Sequence, residues 1–134
     1  MKKTIKVVAA IIENENKEIL CTLRSPEMTL PNMWEFPGGK VEENESLFEA
    51  IEREIQEELD CDIKALEVFN DNTHDYGNFV VNLISIKCTL VGGVPMAGEH
   101  SKLIWLKREN LDSLKWAPAD IPAVKQLSKC FDKK

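Results

Sequence analysis

Apolar positions in this chain follow two rhythms. Across residues 5–12 they run almost unbroken and are rich in β-branched side chains, which predicts a buried strand. Residues 13–17 form a polar turn, and residues 18–23 resume as a second strand. Pro26, Pro31 and Pro37 break residues 25–37 into a loop leading to Gly38 and Gly39. The period then becomes helical. Ser46-Leu-Phe-Glu49 reads as a capping box, and the helix it opens runs to about Leu59. At ~100° per residue, Phe48, Ile51, Ile55 and Leu59 share one stripe, which is expected to pack on a sheet. Residues 63–69, 79–90 and 103–106 read as further strands, with Gly92-Gly93 as a turn. Residues 108–114 read as a short helix. Residues 121–131 read as a terminal helix that tolerates Pro122 in its first turn. Strands dominate without a regular strand–helix alternation. This predicts an α+β fold with a mixed, layered sheet. At 134 residues with no linker or repeat, residues 1–134 are expected to form a single domain.

The helix carries an unusual flank. Ten acids fall between Glu42 and Asp62, and Arg53 is the only base among them. Glu54, Glu57 and Glu58 lie beside the apolar stripe, at the edge of the core. Glu54 and Glu58 are like charges at i,i+4, which costs roughly 0.2–0.5 kcal/mol. Glu57 and Glu58 also stand near the helix C-terminus, where the macrodipole disfavours anions. A solvated helix face more often mixes Lys with its Glu. The cluster therefore calls for an outside counter-charge, and a hard divalent cation supplies one.

Composition narrows the partners. The net charge of −6 argues against a nucleic-acid polymer. A small anion remains compatible if a metal provides local positive charge. Cys21, Cys61, Cys88 and Cys130 form no C-x-x-C pair, and with only two histidines a zinc site is disfavoured. The N-terminus lacks the apolar run of a signal peptide, and no stretch approaches the ~18 apolar residues of a membrane span. The simplest reading is a cytoplasmic protein with reduced thiols.

Gly39, five residues, Glu45, seven residues, then Arg53-Glu54-Ile55-x-Glu57-Glu58 resembles the Nudix box, G-x5-E-x7-R-E-U-x-E-E-x-G-U with U a bulky apolar residue. The match spans the 23 positions from Gly39 to Cys61. The lead-in Trp34-Glu35-Phe36-Pro37-Gly38-Gly39-Lys40 is similar to the MutT-like branch of that family. One position departs: the final Gly of the box is Asp60 here. That Gly ends the helix in a left-handed conformation, which Asp adopts at a cost of roughly 1 kcal/mol. Cys61 is smaller than the usual apolar residue, and no metal ligand is lost.

The resemblance implies a Nudix fold, a mixed sheet between helices (α/β/α). It also implies Mg²⁺-assisted hydrolysis of a nucleoside diphosphate linked to a further group, with Mn²⁺ as a substitute cation. Glu54, Glu57 and Glu58 are then the metal ligands, with Glu54 the choice for general base. Arg53 and Glu45 orient the box. Gly39 offers a backbone carbonyl to the metal, and Glu99, in a loop after Gly98, completes its ligands. Its neighbour His100 reads as a surface residue. Lys40 and Arg24 are candidates for substrate phosphates. Trp34 and Phe36 can stack on a base, although core packing explains them as well. The expected partner is a small nucleotide, with the chain a monomer or homodimer.

For the base, the string Trp116-Ala-Pro-Ala-Asp120-Ile-Pro122 is most informative. An ionised Asp120 only accepts hydrogen bonds, which suits the N4 amine of cytosine and opposes the O6 of guanine. The string also resembles the CTP or 5-methyl-dCTP pyrophosphohydrolase branch. The MutT enzyme that removes 8-oxo-dGTP carries Asn at the matching place. Cytosine nucleotides therefore lead, although Asp120 as the N-cap of the terminal helix explains the residue equally simply. The alternatives are an 8-oxo-dGTP-sanitising diphosphatase, a hydrolase of another diphosphate such as ADP-ribose, and a non-catalytic nucleotide-binding module.

Overall fold

The computed structural model describes residues 2–28 and 30–130, with Cys130 in its backbone alone. Seven strands and two α-helices follow in the order β1 (Thr4–Ile12), β2 (Glu18–Leu23), β3 (Trp34–Glu35), β4 (Gly38–Lys40), α1 (Leu47–Leu59), β5 (Asp62–Asp75), β6 (Val80–Gly92), β7 (Lys102–Lys107) and α2 (Ile121–Cys130). Two 3₁₀ turns, Arg108–Ser113 and Pro118–Asp120, connect β7 to α2. Phe131, the expected end of the last helix, lies outside the described residues.

One sheet has the order β4-β1-β6-β5, the other β3-β2-β7. The first is mixed: β1 runs parallel to β6, with Val8 opposite Ile84, and antiparallel to β4, with Val8 opposite Gly39. Because side chains alternate along a strand, β1 feeds two cores. Val8, Ala10 and Ile12 join Ala50, Ile51, Ile55 and Leu59 beneath α1. Ala9 and Ile11 join Leu111, Trp116, Val124 and Leu127 beneath α2. Helices thus cover both faces of the mixed sheet, as the α+β reading expects.

Burying Ile51, Ile55 and Leu59, each fully enclosed, contributes about 1.5–3 kcal/mol per side chain. Phe48, expected on this stripe, is instead 37% exposed, and Ala50 takes its place inside. The ends of α1 follow the sequence reading. The Glu49 N–H donates to Ser46 Oγ at 3.1 Å, and the Ser46 N–H donates to Glu49 Oε1 at 3.0 Å. Asp60 ends the helix with φ 55° and ψ 43°, in the left-handed region.

Strand boundaries differ from expectation in several places: Gly38–Lys40 forms a strand, and β6 runs on through Gly92, expected in a turn. β5 continues six residues beyond Phe69 to Asp75, through a polar segment that shows no apolar alternation. The loop over residues 25–37 contains β3 at its end, where Trp34 pairs with Leu23 and Glu35 with Thr22. Cys21, Cys61 and Cys88 are free and buried, and burial pushes the thiols of Cys21 and Cys88 up to about 12. No helix among the described residues is long and apolar enough to cross a membrane.

Candidate active site

The second half of α1 faces β4 and the loop before β7. Gly39 sits on β4 directly against Glu54, so that a Cβ at this position would collide with the Glu54 carboxyl group. A glycine is required by close approach here. At the helix end, the Met96 N–H donates to the Leu59 carbonyl at 2.8 Å. Gly98 follows with φ +58°, and its Cα packs so closely on the Glu58 carbonyl that no side chain fits. These contacts pin the loop that carries Glu99 to the last turn of α1.

Arg53 corrects the picture of carboxylates without a basic partner. Its Nε bonds Glu45 Oε2, and its Nη2 bonds Glu45 Oε1 at 3.0 Å. Its Nη1 reaches Glu54 Oε2 at 3.0 Å and Glu57 Oε1 at 3.2 Å. Nη2 also donates to the Lys40 carbonyl at 3.2 Å, tying α1 to β4. The guanidinium, first through its hydrogen bond, holds the Glu45 carboxyl below its usual range. The Glu45 bond is likewise the main reason that the guanidinium is held more firmly charged.

Glu58 has no such relief. Its Oε1 is buried without a hydrogen-bond partner. Burial first, then the charge of Glu54, push its carboxyl up to about 7; Glu35 and Glu99 add to this and His100 opposes it. Among the described residues, no three acidic or imidazole groups stand ready as a metal site. The carboxylates repel one another, and Glu54 and Glu57 lean on Arg53. The donor set nevertheless fits a hard cation: an orphaned carboxylate oxygen lies among further carboxylates, the ligand chemistry that Mg²⁺ takes.

Three connected chambers adjoin this point. The first, about 210 Å³, is lined by Met28, Glu57, Glu58, Gly98, Glu99 and His100. The second, about 280 Å³, shares Glu58 and His100 and adds Arg24, Glu35, Gly39, Lys40 and Asp120. The third, about 350 Å³, shares Arg24, Lys40 and Asp120 and adds Leu30, Tyr76, Phe79 and Val81. The cleft therefore runs from an acidic end through a part that holds two cations to an aromatic end. Tyr76 and Phe79 stack there with ring centroids 5.5 Å apart.

The fold brings Glu57, Glu58, Glu99, Gly39, Lys40, Arg24 and Asp120 onto this cleft. Glu54 stands behind Gly39, and Glu45 serves Arg53. Trp34 is not on the cleft: it is half-buried and packs with the core beneath α2. Phe36 lines the second chamber but is only 2% exposed, and its ring centroid lies 4.7 Å from that of Trp116, so most of the side chain is packed in the core.

Two residues passed over in the sequence are central. Glu35 pairs with Arg24 Nη1 through Oε1 at 2.8 Å and bonds His100 Nε2 through Oε2 at 2.9 Å. His100, expected at the surface, is 7% exposed. The contact joins positions 65 residues apart, which no local pattern reveals.

Asp120 is not a helix N-cap. It lies inside the 3₁₀ turn, and its Oδ1 accepts from the Phe36 N–H at 3.2 Å. Burial first, then the charge of Glu35, hold its carboxyl well above the usual range, opposed by the Phe36 N–H and Arg24. The shift favours protonation of this carboxyl, and a protonated carboxyl both donates and accepts where an ionised one only accepts.

A family model for the NUDIX domain matches residues 3–127. The CTP pyrophosphohydrolase of Escherichia coli K12 is 37% identical over 120 residues, covering 90% of this chain and 88% of that protein. The 8-oxo-dGTP diphosphatase of the same organism is 28% identical over 127 residues, covering 95% and 98%. The solution structure of a DNA mismatch repair protein MutT, described as a Nudix hydrolase, from methicillin-resistant Staphylococcus aureus 252 superimposes with a TM-score of 0.78. It is 48% identical and covers 96% of this chain and 98% of that one.

Proposed function

The chain belongs to the NUDIX family, and on that premise we propose that it is a Mg²⁺-dependent nucleoside triphosphate pyrophosphohydrolase that prefers cytosine nucleotides. Water and a nucleoside triphosphate give the monophosphate and pyrophosphate. The observation that carries this reading is the buried, unpartnered Glu58 Oε1 at the acidic end of a cleft that also holds Arg24 and Lys40. Glu54, Glu57, Glu58, Glu99 and the Gly39 carbonyl would hold the cation, with Mn²⁺ as a substitute. When bound, such a cation neutralises phosphate charge, polarises phosphorus and lowers the pKa of water.

The protein's own groups do the rest. Arg53 holds Glu54 in place behind Gly39, and Glu54 is assigned the role of taking the proton from the attacking water. Glu45 keeps Arg53 oriented. Arg24 and Lys40 attract the polyphosphate, and the aromatic end of the cleft receives the base.

Cytosine is favoured by the Ala117-Pro-Ala-Asp120 string and by the 37% identical relative that is a CTP pyrophosphohydrolase. A second reading, 8-oxo-dGTP hydrolysis, is favoured by the burial of Asp120, which favours the protonated carboxyl; that form matches a base edge bearing both a donor and an acceptor. A panel of ordinary and modified NTPs and dNTPs with Mg²⁺, followed by pyrophosphate release, tests both. The leading reading requires cytosine substrates to show the highest kcat/KM. A maximum at 8-oxo-dGTP transfers the assignment to the second reading.

A further inference from the structure

The turn that carries Asp120 has no side-chain cap of its own, and the preceding residue, Ala119, offers only a methyl group. Its anchors come from the end of β5 and the residue just after it. The Ala119 N–H donates to Tyr76 Oη at 3.0 Å, and the Ala119 carbonyl accepts from Asn72 Nδ2 at 2.8 Å. Asn72 lies near the end of β5 and Tyr76 is the residue that follows its last one, so both side chains reach the turn from one short stretch of chain.

The second bond matters most. The Ala119 carbonyl belongs to the peptide plane that leads into Asp120. The other polar group of that plane, the Asp120 N–H, donates to the Ala117 carbonyl at 2.9 Å. With both ends of the plane fixed, only the side-chain torsions of Asp120 remain, and the Phe36 N–H holds the carboxyl at 3.2 Å. Each of these hydrogen bonds is made to a group with little access to water, where leaving a partner unpaired is costly.

We propose that Asn72 and Tyr76 are positioning residues for base selection: by clamping both backbone polar groups of Ala119, they hold the Asp120 carboxyl at the base end of the cleft. This rests on the reading above that Asp120 contacts the base. Displacing a recognition group by about 1 Å is enough to lose a large part of its discrimination.

The test is a double-mutant cycle on base discrimination, measured as the ratio of kcat/KM for CTP to that for GTP. Tyr76→Phe keeps the ring and removes only the acceptor oxygen. Asn72→Leu keeps the approximate volume and removes the donor. Each is expected to lower the ratio about 3- to 30-fold, the span of one net hydrogen bond and its orphaned partner. In an Asp120→Ala background, neither is expected to change the ratio further. A ratio at the wild-type value in both single variants, while Asp120→Ala lowers it, overturns the clamp. An equal fall with and without Asp120 also overturns it, because the two residues then act on the base or the turn directly. If Asp120→Ala itself leaves the ratio unchanged, the base contact fails and the clamp loses its purpose. A general loss of fold changes both substrates alike and leaves the ratio intact, which counts against the proposal.

Discussion

Arg53 and Glu45 face each other fork to fork: Nε bonds one carboxylate oxygen, and Nη2 the other at 3.0 Å. The same guanidinium reaches Glu54 and Glu57, so one side chain sets the direction of two box carboxylates. Arg53→Lys retains the charge but not the planar fork. It is expected to lower kcat/KM about 10- to 100-fold, the usual effect of losing a group that orients metal ligands. Steady-state kinetics against Mg²⁺ concentration checks this. An unchanged kcat/KM would make the pair incidental.

Glu58 sets a pH dependence of stability in the metal-free protein. Its carboxyl is at about 7 in the folded chain, above the ordinary 4.5. Between those values the folded state holds a proton that the unfolded state has released. Stability therefore falls as pH rises from about 4.5 to about 7 through this group. Thermal unfolding in chelator should show that fall, and Glu58→Gln should flatten it. Because a cation requires the ionised carboxylate, Mg²⁺ should raise Tm more at pH 8 than at pH 6.

Gly39→Ala places a methyl group against the Glu54 carboxyl. Overpacking of this kind costs about 1–3 kcal/mol, so Tm should fall by several degrees and turnover should fall with it. An active protein with an unshifted Tm would show that β4 has room to move.

Asp120 should make base preference depend on pH. Protonated, it offers one donor and one acceptor; ionised, it only accepts. As pH rises, the ratio of kcat/KM for CTP to that for 8-oxo-dGTP should rise. Asp120→Asn cannot ionise and should give a flat ratio shifted towards oxidised guanine.

The helix of the site was legible because its signals are local. Ser46 and Glu49 are three residues apart and cap the turn they begin, and Asp60 adopts the left-handed state that the box demands at that place. Spacing alone placed Glu54, Glu57 and Glu58 on one flank. Phe48 misled because a 100° ruler does not know where the neighbouring sheet stops covering the helix. The end of β5 was hidden by its composition: residues 70–75 are polar, and three register shifts disturb the alternation earlier in the strand.

The rest of the cleft is tertiary. Glu35 meets His100, Asp120 meets Phe36, and Asn72 meets Ala119 across 65, 84 and 47 residues. A histidine followed by Ser and Lys carries no mark of burial. The basic partner of the acidic cluster was visible as Arg53, but not how many carboxylates one guanidinium reaches.

Pyrophosphate release from CTP in Mg²⁺ by the variant with Glu54, Glu57 and Glu58 all changed to Gln is the most direct measurement of all. The account predicts a fall of at least about 10²-fold relative to the unaltered chain, with the fold retained by circular dichroism. Turnover at the unaltered rate would place the chemistry somewhere other than the acidic end of this cleft.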